Sequence, residues 1–365
     1  MRTLRQRVTS PRRDRCGVAG VALVIAGLCA CGHATSISSD ATAAPTAGTP
    51  LAASTNVVRV SSTGQLQAAV AALVSGQTIE LAPGVYGVPG EAYFLPQPLT
   101  GVTIAGATGN RGDVTIRGGR FAFWANNVTG LTVRDLTLEG ASEHGLILNC
   151  EAHAPVIRNV AFRDIGDQFI KANPGLGGCG VDDGLVEDSL FEYTRGAPDP
   201  YTNGVDVHFG AGWIIHRNTF RGFFTAAGGL VGPAILIWNA SRDTVVEGNT
   251  FVDNVRDIAL GLDATRTSQA PVGNGSLTDH RGGRISGNII TRRAMLPGAD
   301  VAILVADSPQ TRIEGNTVTM AGGYPNAIEY RFPRTTGVVI TSNSVDAQIL
   351  ARDGASATVT GNTVR

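Results

Sequence analysis

Val245-Val246-Glu247-Gly248-Asn249-Thr250-Phe251 reads as a short strand, a polar turn and a second short strand, and the same module recurs along the chain. Further copies occupy 131–138, 156–162, 186–191, 214–220, 285–290, 313–318, 340–345 and 359–364. Their turn residues are Asp135, Asn159, Asp188, Asn218, Asn288, Asn316, Asn343 and Asn362. Successive turns lie roughly 20 to 40 positions apart, the spacing of solenoid repeats. One module is too small to bury its own apolar face, so the copies must stack as coils. Asn tolerates the left-handed backbone that a sharp bend demands, so the turn asparagines are expected to adopt it. Stacking would then line up their amides in a hydrogen-bonded ladder. That role is structural.

Composition agrees with a repeat built from strands. Of 365 residues, 47 are glycine and only 16% are charged, against roughly 25% in ordinary globular proteins. The formal net charge of −1 gives no reason to expect a nucleic-acid partner, and no motif points to one. Lys171 stands out as the only lysine among 29 basic residues. A coding bias toward arginine explains most of that. A retained ammonium is nevertheless chemically distinct, because it shifts its pKa far more readily than guanidinium.

The first 30 residues read as an address. Arginines at 2, 5, 7, 12, 13 and 15 precede an apolar run over 18–28 that is too short to span a bilayer. The run ends in Leu28-Cys29-Ala30-Cys31, which resembles a bacterial lipobox. The resemblance implies cleavage before Cys31, a lipid on that cysteine and a membrane partner through the anchor. Cleavage as an ordinary signal peptide is the alternative, and either route exports the protein to the cell envelope or beyond. Residues 31–56, rich in Ala, Thr, Ser and Pro, cannot supply a core and read as a flexible tether. In an exported chain Cys150 and Cys179 read as a disulfide rather than a metal site, with free thiols as the alternative.

The repeat domain spans 57–365. It opens with an amphipathic helix over 62–74, whose stripe is Leu66, Val70, Leu73 and Val74. The strand Thr78-Ile79-Glu80-Leu81-Ala82 and the turn Pro83-Gly84 follow. This order closely resembles the N-terminal cap of pectate-lyase-like right-handed parallel β-helices, where the helix plugs the open end of the first coil. The expected class is therefore all-β: one right-handed parallel β-helix with a short capping α-helix.

Each coil carries a third strand, and four of these concentrate the chemistry: 145–150, 168–173, 204–208 and 234–238. Alternation sends Leu146, Leu148, Ile170, Ala172, Val205, Val207, Ile235 and Ile237 inward. The residues between them face out, in register about 4.8 Å apart. Lys171 should lie beside Asp206 and Asn173 beside His208, with Trp238 on the next coil, all on one solvent-exposed strip. Asp167 and Tyr201, on flanking loops, are expected to form groove walls. A cross-strand ion pair of little consequence is the alternative reading of Lys171 and Asp206. Asp182 and Asp183 could hold calcium with Asp164 or Asp167, or simply be solvated. His144 and His153 fall near coil turns at a spacing that does not suggest a metal site.

This fold class hosts lyases, hydrolases, epimerases and adhesins, so its name alone does not give a function. The resemblance implies uronic-acid-containing polysaccharides or oligosaccharides as partners, and the leading expectation is cleavage by β-elimination. Lys171 could then serve as base or charge neutraliser, His208 as base or acid, and Asp206 as orienter or calcium ligand. Trp238 and Asn173 would bind sugar. A glycoside hydrolase using Asp206 with Asp167, Asp182 or Asp183 remains open, as does a non-catalytic glycan-binding surface protein.

Overall fold

The computed structural model describes residues 56–175, 178–262, 278–293, 295–321 and 324–365. The leader 1–30 and nearly all of the tether 31–56, with Cys31, lie outside them. The described chain winds as a right-handed parallel β-helix. One face is a ten-stranded parallel sheet whose members follow chain order. Its central strands are His144–Leu148, Gln168–Ala172, Asn203–His208, Ile235–Trp238 and Ile258–Leu260. The repeated modules form the opposite surface as two parallel ladders, fused where Thr132–Glu139 and Val156–Arg163 run through both. No described helix is long and apolar enough to cross a membrane.

The third strands pair in the expected register. Ile170 faces Val205, Lys171 faces Asp206 and Ala172 faces Val207; one coil on, His208 faces Trp238. Ile170, Ala172, Val205 and Val207 are fully buried inside the coil. Packing within the coil is itself layered. Phe162, Phe191, Phe220 and Phe251 stack in one column, with centroids 4.5–5.1 Å apart and planes within 10°. Each such side chain contributes about 1.5–3 kcal/mol by leaving water.

The left-handed bend keeps one register position from coil to coil, though the residue that makes it changes. In the earlier coils Asp135, Asn159 and Asp188 themselves take positive φ, as expected. In the later coils the preceding residue does: Arg217, Gly248, Gly287, Gly315, Ser342 and Gly361. The residue after the bend points inward in each coil, and in the later coils that residue is the asparagine. Asn218, Asn249, Asn288, Asn316 and Asn343 are consequently buried, and with Asn362 they form the ladder. The oxygen of Asn288 accepts the backbone N–H and the side-chain amide of Asn249 at 2.9 and 3.0 Å. Its Nδ2 donates to Val246 O and to Asn316 Oδ1. The same pattern repeats up the stack.

The capping helix is shorter than its stripe suggested. It spans Thr63–Ala71, with Ser62 accepting the N–H of Gln65 as N-cap. Leu66, Val70 and Leu73 are buried, but Val74 lies beyond the helix and is half exposed.

Replacing Asn288 by Ala would strand two buried donors of Asn249. Urea unfolding of Asn288→Ala is expected to show a loss of about 2–4 kcal/mol relative to the unaltered protein. A loss below about 0.5 kcal/mol would mean that the ladder does not hold the coils together.

Candidate active site

Lys171 and Asp206 are neighbours across two strands of the ten-stranded sheet, and both side chains leave its outer face. Contrary to the expectation of an exposed strip, loops and aromatic rings cover them. Lys171 is 5% exposed and Asp206 1%. The Nζ of Lys171 donates to Asp206 Oδ2, lies 2.9 Å from His208 Nε2 and reaches the Tyr201 hydroxyl at 3.5 Å. Tyr201 is 59% exposed, so it and the partly exposed His208 form the way in from solvent.

The second oxygen of Asp206 accepts the indole N–H of Trp238 at 2.9 Å and lies 3.3 Å from His208 Nε2. On the other side of the imidazole, Nδ1 meets the Asn239 amide at 2.6 Å. Trp238 therefore locks the cluster together: its N–H faces both Asp206 and His208 Nε2, and its ring is tilted 59° against the imidazole. It was expected to be an open sugar platform. Its ring instead packs beside Leu236 and Ala259, an apolar patch that continues the sheet's outer face.

Burial pushes the Asp206 carboxyl up, but hydrogen bonding and charge from His208 and Lys171 outweigh it and hold the group below the ordinary carboxylate range. An ionised Asp206 beside an ammonium leaves the cluster neutral while the imidazole is uncharged. Lys171 Nζ and His208 Nε2 stand within hydrogen-bond distance of each other. This is the arrangement of a general base backed by a carboxylate.

Asn173 does not join this cluster. Its amide donates to Asn149 Oδ1 at 3.2 Å, although it occupies the position preceding His208 in the stack. Asp182 and Asp183 stand apart as well. Asp182 accepts the N–H of Ala211, and Asp183 sits at a left-handed turn, where its carboxylate would meet any side chain at Gly212. Asp164 is spent on Thr194. Among the described residues none of these three belongs to a group able to hold a metal.

The residues that do converge are Glu143, His144 and Asp167, with one ligand atom from each within 4.8 Å. Glu143 went unnoticed in the sequence, and His144, read there as a turn residue unconnected with a metal site, belongs to this group. The offset that pairs Leu146 with Ile170 also carries Glu143 onto Asp167, and that was the available signal. Burial and the nearby Lys171 charge lower His144 to about 4, so it is neutral at pH 7. Burial, Asp199 and Glu143 raise Asp167 to about 6, while Lys171 pulls it the other way. Two carboxylates and an imidazole are a poor match for calcium, which takes six to eight oxygens. Neither Asp182 nor Asp183, the expected calcium ligands, belongs to this group.

Cys150 and Cys179 form a disulfide with Cα atoms 5.2 Å apart, beside the end of the His144–Leu148 strand.

No family model and no curated protein matches the chain. Among solved structures it is similar to an Escherichia coli bacteriophage tailspike bound to a pentasaccharide. That match has a TM-score of 0.52 and 13% identity, over 82% of this chain and 61% of the other. It is also similar to the surface adhesin PfbA of Streptococcus pneumoniae, with a TM-score of 0.50 and 13% identity over 83% and 87%. An alginate lyase from a Paenibacillus species aligns at a TM-score of 0.46 and 13% identity, over 74% and 98%. The first two likenesses establish the fold, a right-handed parallel β-helix.

The like charges around Asp167 predict a measurable shift. Carbon NMR of its carboxyl is expected to titrate near pH 6, and Asp199→Asn should lower that midpoint by removing one anion. An unchanged midpoint would show that Asp199 does not act on it.

Proposed function

We propose that this β-helix acts on a uronic-acid-containing glycan by removing the proton from the carbon next to the sugar carboxylate, and cleaves the chain by β-elimination. The Lys171–Asp206–His208 cluster carries the reading, because the ionised Asp206 fixes a cation and a base 2.9 Å apart. A mere surface ion pair would be solvated. This one is buried, and burying charges is costly unless the arrangement is closely matched.

In this scheme His208 takes the C5 proton. The C–H electrons form the C4–C5 double bond as the C4–O4 bond breaks, and the departing O4 collects a proton. The Tyr201 hydroxyl, exposed and 3.5 Å from Nζ, is the acid placed to supply it. Lys171 brings the positive charge that offsets the carboxylate as its neighbour carbon becomes electron-rich. If the new anion is instead reprotonated at C5 from the opposite face, the sugar epimerises without cleavage. The first step is common to both outcomes.

A hydrolase is the second reading, and one observation favours it. Asp167, raised to about 6, has Glu143 close by, so an acid and a base carboxylate are present. The pair differs from the Asp206-based pairs inferred from sequence, because Asp206 is committed to Lys171, His208 and Trp238. Retaining enzymes place their two carboxyl groups about 5–5.5 Å apart. The third possibility, a protein that only binds glycan, is compatible with the adhesin of the same fold.

The three separate in one assay series. Incubated with alginate, polygalacturonate and hyaluronan, the protein is expected to release an unsaturated, ultraviolet-absorbing product from at least one. Lys171→Ala and His208→Ala should each slow this by about a hundredfold or more. New reducing ends without absorbance, abolished by Asp167→Asn and retained in Lys171→Ala, would replace the lyase with the hydrolase. Binding without any change in the polymer would leave only the adhesive role.

A further inference from the structure

We infer that Trp124 and the amides of Asn126, Asn149 and Asn173 form a sugar-binding subsite that leads the glycan chain along the coil axis to Lys171 and His208. The inference rests on the polyuronate reading above and extends it to the two coils that precede Lys171. Trp124 pairs with Ile147, and Ile147 with Lys171, so the indole stands in the lysine's column two strands away, roughly 10 Å. The neighbouring column continues from Ala125, Leu148, Ala172 and Val207 into Asn126, Asn149, Asn173 and His208. The subsite and the reactive cluster thus share one sheet face.

The three amides form a chain with a direction. Asn173 donates to Asn149 Oδ1, and Asn149 donates to Asn126 Oδ1 at 2.6 Å. Trp124 Nε1 donates to the same Asn126 oxygen at 3.0 Å, which fixes the plane of the indole. At one end the Nδ2 of Asn126 has no protein acceptor among the described residues. At the other, the Oδ1 of Asn173 has no protein donor among the described residues. The inner ladder from Asn218 to Asn362 is different: its members from Asn218 to Asn343 are fully buried, and each spends both oxygen and nitrogen on the protein. The outer amides are half-buried, and Asn126 and Asn149 line an open depression with Gln97 and Glu151.

Donors and acceptors repeated at the strand spacing match the hydroxyls of a sugar chain, and a fixed aromatic face beside them matches the apolar side of a pyranose ring. Phe94 prolongs the aromatic surface. It is 53% exposed, and its ring is 5.9 Å from that of Trp124. The subsite carries no cation, so it reads hydroxyls and ring faces while the carboxylate is met at Lys171. Its contribution should therefore persist at high salt, where long-range attraction is screened.

The test uses the His208→Ala protein as a slow-turnover parent. Calorimetry measures its binding to alginate and polygalacturonate, and to dimers prepared from each, in low and high salt. The subsite predicts that Trp124→Ala and Asn149→Ala each weaken polymer binding about fivefold or more, equally at both salt concentrations. Most of the advantage of polymer over dimer should disappear with them. Asn149→Ala keeps the test valid should Trp124→Ala unfold, and thermal melts identify that case. Polymer affinities within twofold of the parent in both variants would overturn the subsite. If the unaltered protein still cleaves the polymer in that case, the subsite alone is wrong. If the parent binds neither polymer, the subsite falls together with the polyuronate reading.

Discussion

The register of one strand pair, Lys171 against Asp206, governs what the rest of the molecule can do. Side chains alternate along a strand, so a slip of one residue would put the ammonium inside the coil and an isoleucine or alanine in its place. Several features prevent that slip. Ile170, Ala172, Val205 and Val207 fill the interior on either side of the pair, and the stacked phenylalanines run through the same coils. The asparagine ladder holds the opposite surface and begins in the coils that carry the site. A solenoid is suited to this work because each coil is held by its neighbours, leaving the outer face free to carry groups that do nothing for stability.

The buried cluster has a cost. Taking an ammonium and a carboxylate out of water is repaid only when their remaining hydrogen bonds are met. Asp206 meets them with Lys171 on one oxygen and Trp238 and His208 around the other. Apolar residues occupy the same column on both sides, Ile147 before the pair and Leu236 after it. An apolar pair would continue that column at lower cost. The proposed function gives that interruption a reason, proton chemistry with Tyr201 and His208 as the proposed contact with substrate.

Much of this was legible from sequence, for identifiable reasons. The turn modules gave the stacking, and the two-residue period of 170–172 and 205–207 gave the facing of Lys171 and Asp206. Three things were hidden. The left-handed residue in the later turns is Arg217 or Gly248 rather than the asparagine, because an inward amide that joins a ladder outweighs the turn preference of Asn. The burial of the cluster comes from loops and from Trp238, whose N–H direction no pattern reveals. The approach of Glu143 and His144 to Asp167 depends on a break in alternation, since Phe169 and Ile170 both pack inside the coil.

In the proposed reaction the Lys171–His208 pair breaks a carbon–hydrogen bond beside a sugar carboxylate. Proton NMR of a polyuronate substrate incubated with the protein in heavy water observes that bond directly. The account predicts loss of the C5 proton signal, whether the chain is cleaved or epimerised, and retention of the signal with Lys171→Ala or His208→Ala. Chains that shorten while every C5 proton stays in place would contradict it.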